Sequence, residues 1–326
     1  MTAARALTVP RNGDSSVLDV RDVEVADPGP GEVQVAVAAV GVNFIDVYQR
    51  EGVYRIPTPF TACSEGSGTV TAVGDGVQGL AVGDRVAWGQ GLGSAATLVN
   101  RAVDDLVPVP DGLDLAVAAA AMLQGMTAHY LVTDTYAVRP GTVALVHAAA
   151  GGVGQLLVQM VTARGGRVIA TAGSQEKVER ARGLGAATAI DYSQSDDLAA
   201  AVREANGGKG VDVVYDGVGR STFDASLASL RPRGMMVLFG AASGQVPPFD
   251  IQRLNSGGSL FLTRPTLGHY LATREELLER AASVLGDLAA GRLHLEIGGR
   301  YPLPEAARAY DDLEGRRTTG KLLLIP

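Results

Sequence analysis

The chain has 326 residues, a net charge of −7 at pH 7 and 46% hydrophobic residues, which is typical of a folded protein of two domains. Its only cysteine, Cys63, excludes an intramolecular disulfide and a multi-cysteine zinc site. The acidic balance argues against nucleic acid and a membrane surface as partners. No apolar run reaches about 18 residues, and the N-terminus lacks the apolar segment of a secretory signal. We therefore expect a soluble, cytoplasmic protein.

The first 120 residues predict a β-rich region of short strands separated by turns. Residues 32–40 alternate, with Val33, Val35 and Val37 on one face, as expected of a half-buried strand. Two more short strands, 68–73 and 85–88, flank the turn-rich segment GDGVQGLAVGD. An alanine-rich segment, 115–122, predicts a helix after them.

From residue 125 onward, apolar strands alternate with amphipathic helices. Strands are predicted at 142–147, 167–171, 187–190, 211–215 and 235–239. Helices are predicted from 152, over 175–184 and 274–290, and from 305, with a closing strand over 321–325. The alternation predicts an α/β fold with a doubly wound parallel sheet and helices on both of its faces.

The segment AAAGGVG, residues 148–154, follows a strand and opens a helix, which is the context of a dinucleotide-binding loop. Ala148, Gly151 and Gly154 keep the spacing A-x-x-G-x-x-G, a close relative of G-x-G-x-x-G. Glycines there let the backbone approach a pyrophosphate, whose charge the helix N-terminus favours. A glycine-rich turn without a ligand is the alternative. We expect the loop to hold the cofactor through Ala150, Gly151, Gly152, Val153 and Gly154.

The end of the next strand indicates which nicotinamide cofactor is bound. NAD-binding loops place an Asp or Glu about 20 residues past the glycine motif, against the ribose hydroxyl. Here Gly173 and Ser174 occupy that place, and Lys177 follows within one helical turn. A missing carboxylate removes the repulsion of a 2′-phosphate, and an ammonium group attracts it. The pattern favours NADPH, with a merely solvated Lys177 as the alternative.

Five segments resemble the zinc-independent quinone oxidoreductases, the ζ-crystallin branch of the medium-chain dehydrogenase/reductase superfamily. They are GVNFIDVYQREGVY (41–54), HAAAGGVG (147–154), VVYDGVGR (213–220), LTRPTL (262–267) and the final LLLIP. The resemblance runs over essentially the whole chain. It implies a GroES-like catalytic domain, 1–125, a Rossmann NADPH-binding domain, 126–262, and a return segment, 263–326, that completes the catalytic domain. It also implies an active site in the cleft and a homodimer joined through strand 259–263.

Zinc-dependent members of the superfamily hold their metal with a cysteine and a histidine, where this chain has Asn43 and Ser64. Cys63 lacks imidazole partners and makes a poor zinc site. The four histidines have no ligand spacing, and His147 is expected to be a hydrogen-bonded core residue. We therefore expect a metal-free enzyme. This suits a quinone or enone, which accepts hydride readily and needs mainly orientation and a dry cleft.

The resemblance also implies roles for individual residues. Asn43, Tyr48 and Tyr54 would form the catalytic site, where the tyrosines either donate to a substrate oxygen or only pack. Asp46 would orient the site. Gly217 stands where close relatives often have serine. Besides the glycine loop, the cofactor would contact Asn43, Thr127, Gly173, Ser174, Lys177, Tyr192, Phe239, Gly240, Arg264 and Arg316.

The expected activity is metal-free hydride transfer from NADPH to a quinone. An NADPH-dependent 2-alkenal or enone reductase would use the same fold and donor, and the sequence does not separate the two. A non-enzymatic, RNA-binding or crystallin-like role is disfavoured because no Lys/Arg cluster supplies a basic face. Asn43 and Ser64 disfavour a zinc alcohol dehydrogenase. The physiological acceptor, and reduction by one electron or two, stay open.

Overall fold

The computed structural model describes residues 1–326, which fold as two compact units. The first unit comprises Met1–Met126 and Leu271–Pro326, and the second comprises Thr127–Tyr270. Residues 263–270 group with the second unit. There Tyr270 stacks on Tyr130 at 4.0 Å between ring centroids, and the Thr135 hydroxyl donates to the Tyr270 hydroxyl at 2.9 Å.

The chain forms sixteen strands. They are β1 (Thr2–Val9), β2 (Asp19–Val25), β3 (Glu32–Val42), β4 (Phe60–Thr61), β5 (Glu65–Val73), β6 (Arg85–Trp88), β7 (Leu98–Ala102), β8 (Val107–Pro108), β9 (Val143–Val146), β10 (Arg167–Ala172), β11 (Thr188–Asp191), β12 (Val211–Asp216), β13 (Leu230–Leu238), β14 (Phe261–Thr263), β15 (Ile297–Pro302) and β16 (Lys321–Ile325). All the strands predicted from the sequence are present, with ends that shift by a few residues.

The chain also forms nine α-helices. They are α1 (Phe44–Arg50), α2 (Leu115–Tyr130), α3 (Gly152–Ala163), α4 (Gln175–Gly183), α5 (Leu198–Ala205), α6 (Phe223–Ser229), α7 (Gln252–Ser256), α8 (Arg274–Ala289) and α9 (Ala306–Glu314). Short 3₁₀ segments lie at Ser15–Val17, Val103–Asp105, Tyr192–Gln194, Leu267–Tyr270 and Leu303–Glu305, and a π-helical turn lies at Leu131–Thr135.

The first unit is built on a seven-stranded sheet and a three-stranded sheet. The larger has the order β15-β16-β3-β5-β6-β8, with β7 also paired to β3, and the smaller has the order β2-β1-β4. The C-terminal strand β16 pairs antiparallel with β3, from Leu322 opposite Val42 to Leu324 opposite Val40. The return segment therefore completes this β-rich unit, and the buried core draws on both parts of the chain.

The second unit has a six-stranded sheet in the order β11-β10-β9-β12-β13-β14, and every pair in it is parallel. The order reverses at β9, which is the topological switch point of a doubly wound Rossmann sheet. Ligands of such sheets bind outside the carboxyl ends of the strands at this point. The predicted glycine loop lies at this point, since it connects the end of β9 at Val146 with the start of α3 at Gly152.

Helix α2 is longer than the predicted 115–122. Gly125 weakens the helical pattern, but it is needed for packing, because a Cβ at this position would lie 2.5 Å from Cγ1 of Val284 in α8. Together with the π-helical turn, residues 115–135 are long and apolar enough to cross a membrane by length and composition. In its most apolar stretch of 18 residues, 72% is buried inside the protein, as is typical of a helix in the core of a folded domain.

Candidate functional site

The glycine loop is shaped by Ala148, which adopts a left-handed backbone conformation with φ of 49°. The Ala148 carbonyl accepts the Gly151 N–H at 2.9 Å. A Cβ at Gly154 would overlap that carbonyl oxygen, so only glycine fits there. Gly151 caps α3 with its backbone and no side chain, which leaves the first N–H groups of α3 open to an anion. This tight loop, built mainly of alanine and glycine, fits a dinucleotide pyrophosphate.

The end of β10 brings together four of the predicted cofactor residues. Ser174 caps α4, and its hydroxyl accepts the Lys177 N–H at 3.4 Å. A Cβ at Gly173 would lie 2.5 Å from the Tyr192 hydroxyl, so this position excludes any side chain while Tyr192 stays in place. The carboxylate of NAD-binding loops thus has no counterpart at position 173, where a side chain would require Tyr192 to move.

Arg316 and Thr127 come from other parts of the chain. Arg316 lies in the first unit, in the turn after α9, with φ of 54°. Thr127 is a buried residue of α2 at the start of the second unit. Their predicted contacts with the cofactor stay predictions.

The end of β13 carries Phe239 and Gly240, which directly follow Leu238. A Cβ at Gly217 would lie 2.9 Å from the Phe239 ring, and a Cβ at Gly240 would overlap the Gly217 carbonyl. Glycine at 217 thus makes room for the aromatic ring. The Arg264 guanidinium donates to the Leu238 carbonyl at 3.1 Å, which holds that side chain at the same strand end.

A buried polar network joins the ends of β9, β10 and β12. His147 contacts the Thr171 hydroxyl at 2.8 Å through Nδ1 and the Ser226 hydroxyl at 2.9 Å through Nε2. Ser226 and Thr222 both donate to Oδ2 of Asp216, at 2.8 and 2.7 Å. Burial lowers the pKa of His147, which keeps the ring neutral. His147 is therefore a hydrogen-bonded core residue, as expected, and it fixes the strand that enters the glycine loop.

In the first unit, Asn43 is the centre of a buried polar cluster at the start of α1. Its N–H donates to Oδ2 of Asp46 at 2.7 Å, and its Nδ2 donates to Oε2 of Glu65 at 2.8 Å. Its Oδ1 accepts from Nζ of Lys321 at 2.6 Å and from Nε2 of Gln124 at 3.1 Å. Lys321 also donates to Oε2 of Glu65 at 2.5 Å.

Asp46 is a carboxyl group in an unfavourable place for a charge. Burial raises its pKa from 3.8 to about 7, against the opposing effects of the Asn43 N–H and the Lys321 ammonium. Its Oδ1 is buried and has no hydrogen-bond partner. A neutral carboxylic acid satisfies this environment better than a carboxylate.

Tyr48 and Tyr54 lie together at the other end of α1. Their rings meet edge to face with centroids 5.6 Å apart, and the Tyr54 N–H donates to the Tyr48 carbonyl at 3.1 Å. Tyr54 is 40% exposed. The structure thus places all three predicted catalytic side chains on α1, its cap or the turn that follows.

Three members of the Asn43 cluster were missed at the sequence level, namely Glu65, Lys321 and Gln124. The sequence contains only weak indications of these residues. Glu65 adjoins Ser64, one of the two places compared with zinc ligands, and Lys321 is a lone charge that opens an apolar strand. Both side chains are fully buried, which a sequence does not reveal for an isolated charged residue.

The donor set around Asn43 does not resemble a metal site. No group of three or more His, Cys, Asp or Glu side chains is placed to hold a metal ion. Cys63 and Ser64 are both buried, and burial raises the pKa of the Cys63 thiol well above its usual value. Its Sγ lies 3.4 Å from the Tyr310 hydroxyl. A single thiol without imidazole or further thiol partners makes a poor zinc site.

Comparison with known proteins agrees with this architecture. The family described as alcohol dehydrogenase GroES-like domain matches residues 29–140, and the family described as zinc-binding dehydrogenase matches residues 152–283. A quinone oxidoreductase of Pseudomonas aeruginosa is 46% identical over 316 residues, covering 96% of this chain and 97% of the relative. A 2-haloacrylate reductase of a Burkholderia species is 42% identical, covering 94% of each. The structure of Escherichia coli quinone oxidoreductase with NADPH matches at a TM-score of 0.96 and 40% identity, covering all of both chains.

A GroES-like unit completed by its C-terminal strand, together with a Rossmann unit that carries a glycine loop, defines a medium-chain dehydrogenase/reductase. Within that superfamily the similarity extends over the whole length of the chain. The chain belongs to the quinone oxidoreductase family.

Proposed function

We propose that this protein transfers hydride from NADPH to a quinone without the help of a metal ion. The observation that carries the proposal is the full-length similarity to quinone oxidoreductases. It is supported by the glycine loop at the switch point of the sheet and by the strand β10, which ends in glycine rather than in an acid.

The second unit supplies most of the cofactor-binding residues in this proposal. The pyrophosphate lies against the loop Ala150, Gly151, Gly152, Val153 and Gly154, where the N-terminus of α3 favours negative charge. The 2′-phosphate lies near Lys177, at the side-chain-free position Gly173 and its neighbour Ser174. The remaining contacts come from Asn43, Thr127, Tyr192, Phe239, Gly240, Arg264 and Arg316.

When bound, NADPH supplies the hydride. Asn43 faces the nicotinamide end, and its amide is held in place by Glu65, Lys321 and Gln124. The hydroxyls of Tyr48 and Tyr54 donate to the acceptor oxygen that becomes negative. A quinone is a strong hydride acceptor, so orientation and modest hydrogen bonding suffice. Solvent then supplies the proton that the reduced acceptor takes up.

The test follows the loss of reduced-nicotinamide absorbance with chelator-treated protein. NADPH and NADH are each mixed with a simple quinone and with a 2-alkenal. The proposal expects fast turnover of the quinone, a preference for NADPH and no effect of the chelator. Turnover that requires added zinc would contradict the metal-free part, and NADH preference would contradict the cofactor assignment.

Reduction of a conjugated carbonyl is the second candidate. The 2-haloacrylate reductase relative is nearly as similar as the quinone oxidoreductases, and an activated alkene accepts hydride at the same kind of site. Turnover of the 2-alkenal with no reduction of the quinone would replace the first candidate by this one.

We also propose how the protein assembles and where in the cell it is located. Strand β14 is an edge of the six-stranded sheet, and its first residue, Phe261, is 55% exposed. An exposed edge strand with an apolar residue can pair with a second copy. We therefore propose a homodimer joined through β14, located in the cytoplasm, with neither nucleic acid nor a membrane as a partner.

A further inference from the structure

The Glu65–Lys321 pair is fully enclosed in the protein. Both side chains have no exposed surface, and Nζ lies 2.5 Å from Oε2. The second carboxylate oxygen, Oε1, accepts the Leu123 N–H at 2.6 Å. An ion pair this deeply buried often adds little stability compared with apolar side chains of the same size. Its presence therefore calls for another reason.

The backbone is built to make room for this pair. Glu65 on β5 lies directly opposite Gly41 on β3. Strand β16 pairs with the other edge of β3, where Leu322 lies opposite Val42, so the preceding residue, Lys321, reaches Glu65 from the other side. A Cβ at Gly41 would overlap Oε2 of Glu65 and lie 2.8 Å from Cε of Lys321. The pairing of these three strands thus places two opposite charges beside Asn43, two residues past Gly41.

The pair leaves the Asn43 amide a single orientation. An ammonium group only donates hydrogen bonds and a carboxylate only accepts them. Oδ1 must therefore face Lys321, where it lies 2.6 Å from Nζ, and Nδ2 must face Glu65, where it lies 2.8 Å from Oε2. A flipped amide would meet like polarity on both sides. Gln124 adds a third contact to Oδ1 at 3.1 Å.

We propose that Lys321 and Glu65 are positioning residues for hydride transfer, which act by locking the orientation of the Asn43 amide. The inference rests on the proposed function, because it takes Asn43 to face the nicotinamide. Asn43 occupies a position where zinc-dependent relatives have a metal ligand. In this chain the cation that it contacts is the ammonium group of Lys321. The lock adds nothing to the phosphate contacts, which lie in the second unit.

The test removes both charges together. Lys321→Met alone would leave a buried, unpaired carboxylate and could unfold the protein, so the main variant is Lys321→Met with Glu65→Gln. The control is Arg231→Met with Asp212→Asn, which removes another ion pair, 2.6 Å long, that belongs to the second unit. We expect kcat for the quinone to fall at least tenfold in the main variant, while the Kd of NADPH changes less than threefold and the control keeps its kcat.

A second measurement does not depend on turnover. The Asn43 side-chain amide protons, assigned in NMR spectra by their absence in Asn43→Ala, should exchange with solvent at least tenfold faster in the main variant. Unchanged kcat and unchanged amide exchange would overturn the inference, as would an equal loss of kcat in the control. If the wild type reduces no acceptor, the proposed function fails, and the amide exchange still decides whether the lock exists.

Discussion

At the scale of single residues, the proposed preference for NADPH rests on Gly173 and Lys177. A side chain at position 173 would require Tyr192 to move, and Lys177 is the cation nearest in sequence to that position. The specificity proposed here thus comes from one missing carboxylate and one ammonium group. These two contributions can be separated experimentally.

Lys177→Ala should weaken NADPH binding about tenfold, which is about 1.4 kcal/mol, and leave NADH binding unchanged. The reason is that only NADPH carries the 2′-phosphate. Fluorescence titration of both cofactors measures the two Kd values. The nearby Glu179→Ala, on the same helix, serves as a control that removes a charge of the opposite sign. An equal loss for NADPH and NADH would reject the 2′-phosphate assignment.

Asp46 makes the stability of the fold dependent on pH. Its pKa is about 7 in the folded protein against 3.8 as the ordinary value, so the folded state binds the proton more tightly. Protonated Asp46 therefore makes its full contribution to the free energy of unfolding below a pH of about 4. That contribution is lost as the pH rises through 7. The total loss from this one group is about 4 kcal/mol.

Asp46→Asn should remove that dependence, because an amide resembles the neutral acid at all pH values. Relative to the wild type, the variant should gain about 3 kcal/mol in the free energy of unfolding between pH 5 and pH 8. Urea unfolding at several pH values measures the difference. If the free energy of unfolding changes with pH in the same way in both proteins, Asp46 is ionised in the folded state throughout this range.

At the scale of secondary-structure elements, the contact between α2 and α8 depends on one glycine. A Cβ at Gly125 would lie 2.5 Å from Val284, so the two helices approach more closely than larger residues allow. Gly286, two residues after Val284 on α8, has nothing within 4 Å of its would-be Cβ. The two glycines therefore form a matched pair for mutagenesis.

Gly125→Ala should lower the free energy of unfolding by about 1–3 kcal/mol through overpacking. Gly286→Ala should raise it by about 0.5–1 kcal/mol, since alanine favours the helix and meets no obstacle. Thermal and urea unfolding measure both changes. Stabilisation by Gly125→Ala would mean that α8 shifts freely and that the close approach is not required.

The same elements indicate what a sequence can predict. The strands of the second unit, its helices from 152 and over 175–184, and the loop 148–154 were predicted because their signals are local, a period of apolar residues or a run of glycines. The end of α2 was missed because Gly125 weakens the local pattern and only the distant Val284 explains it. Glu65 and Lys321 were missed because they are 256 residues apart in the chain, and strand register alone brings them together.

At the scale of the whole molecule, the proposed dimer depends on the edge strand of the Rossmann sheet. Strand β14 has only three residues, and its outer edge has no partner strand in this chain. A second copy related by two-fold symmetry could continue the sheet from there. An apolar residue as exposed as Phe261 favours that contact.

Phe261→Asp should therefore convert a dimer into a monomer, because two buried carboxylates would face each other across a symmetric edge. Size-exclusion chromatography with light scattering measures the mass. Val82→Asp, at a residue that is 65% exposed in the first unit, should leave the mass unchanged. A wild-type protein that already elutes as a monomer would reject the proposed dimer.

The state of Cys63 has a consequence for an enzyme that handles electrophiles. Quinones and 2-alkenals alkylate thiolates, and many proteins lose activity by this route. The only thiol of this chain is fully buried, and its raised pKa keeps it protonated, so it is a poor nucleophile. Alkylation of this thiol should therefore be slow, so that turnover of reactive acceptors does not consume the one cysteine of the chain.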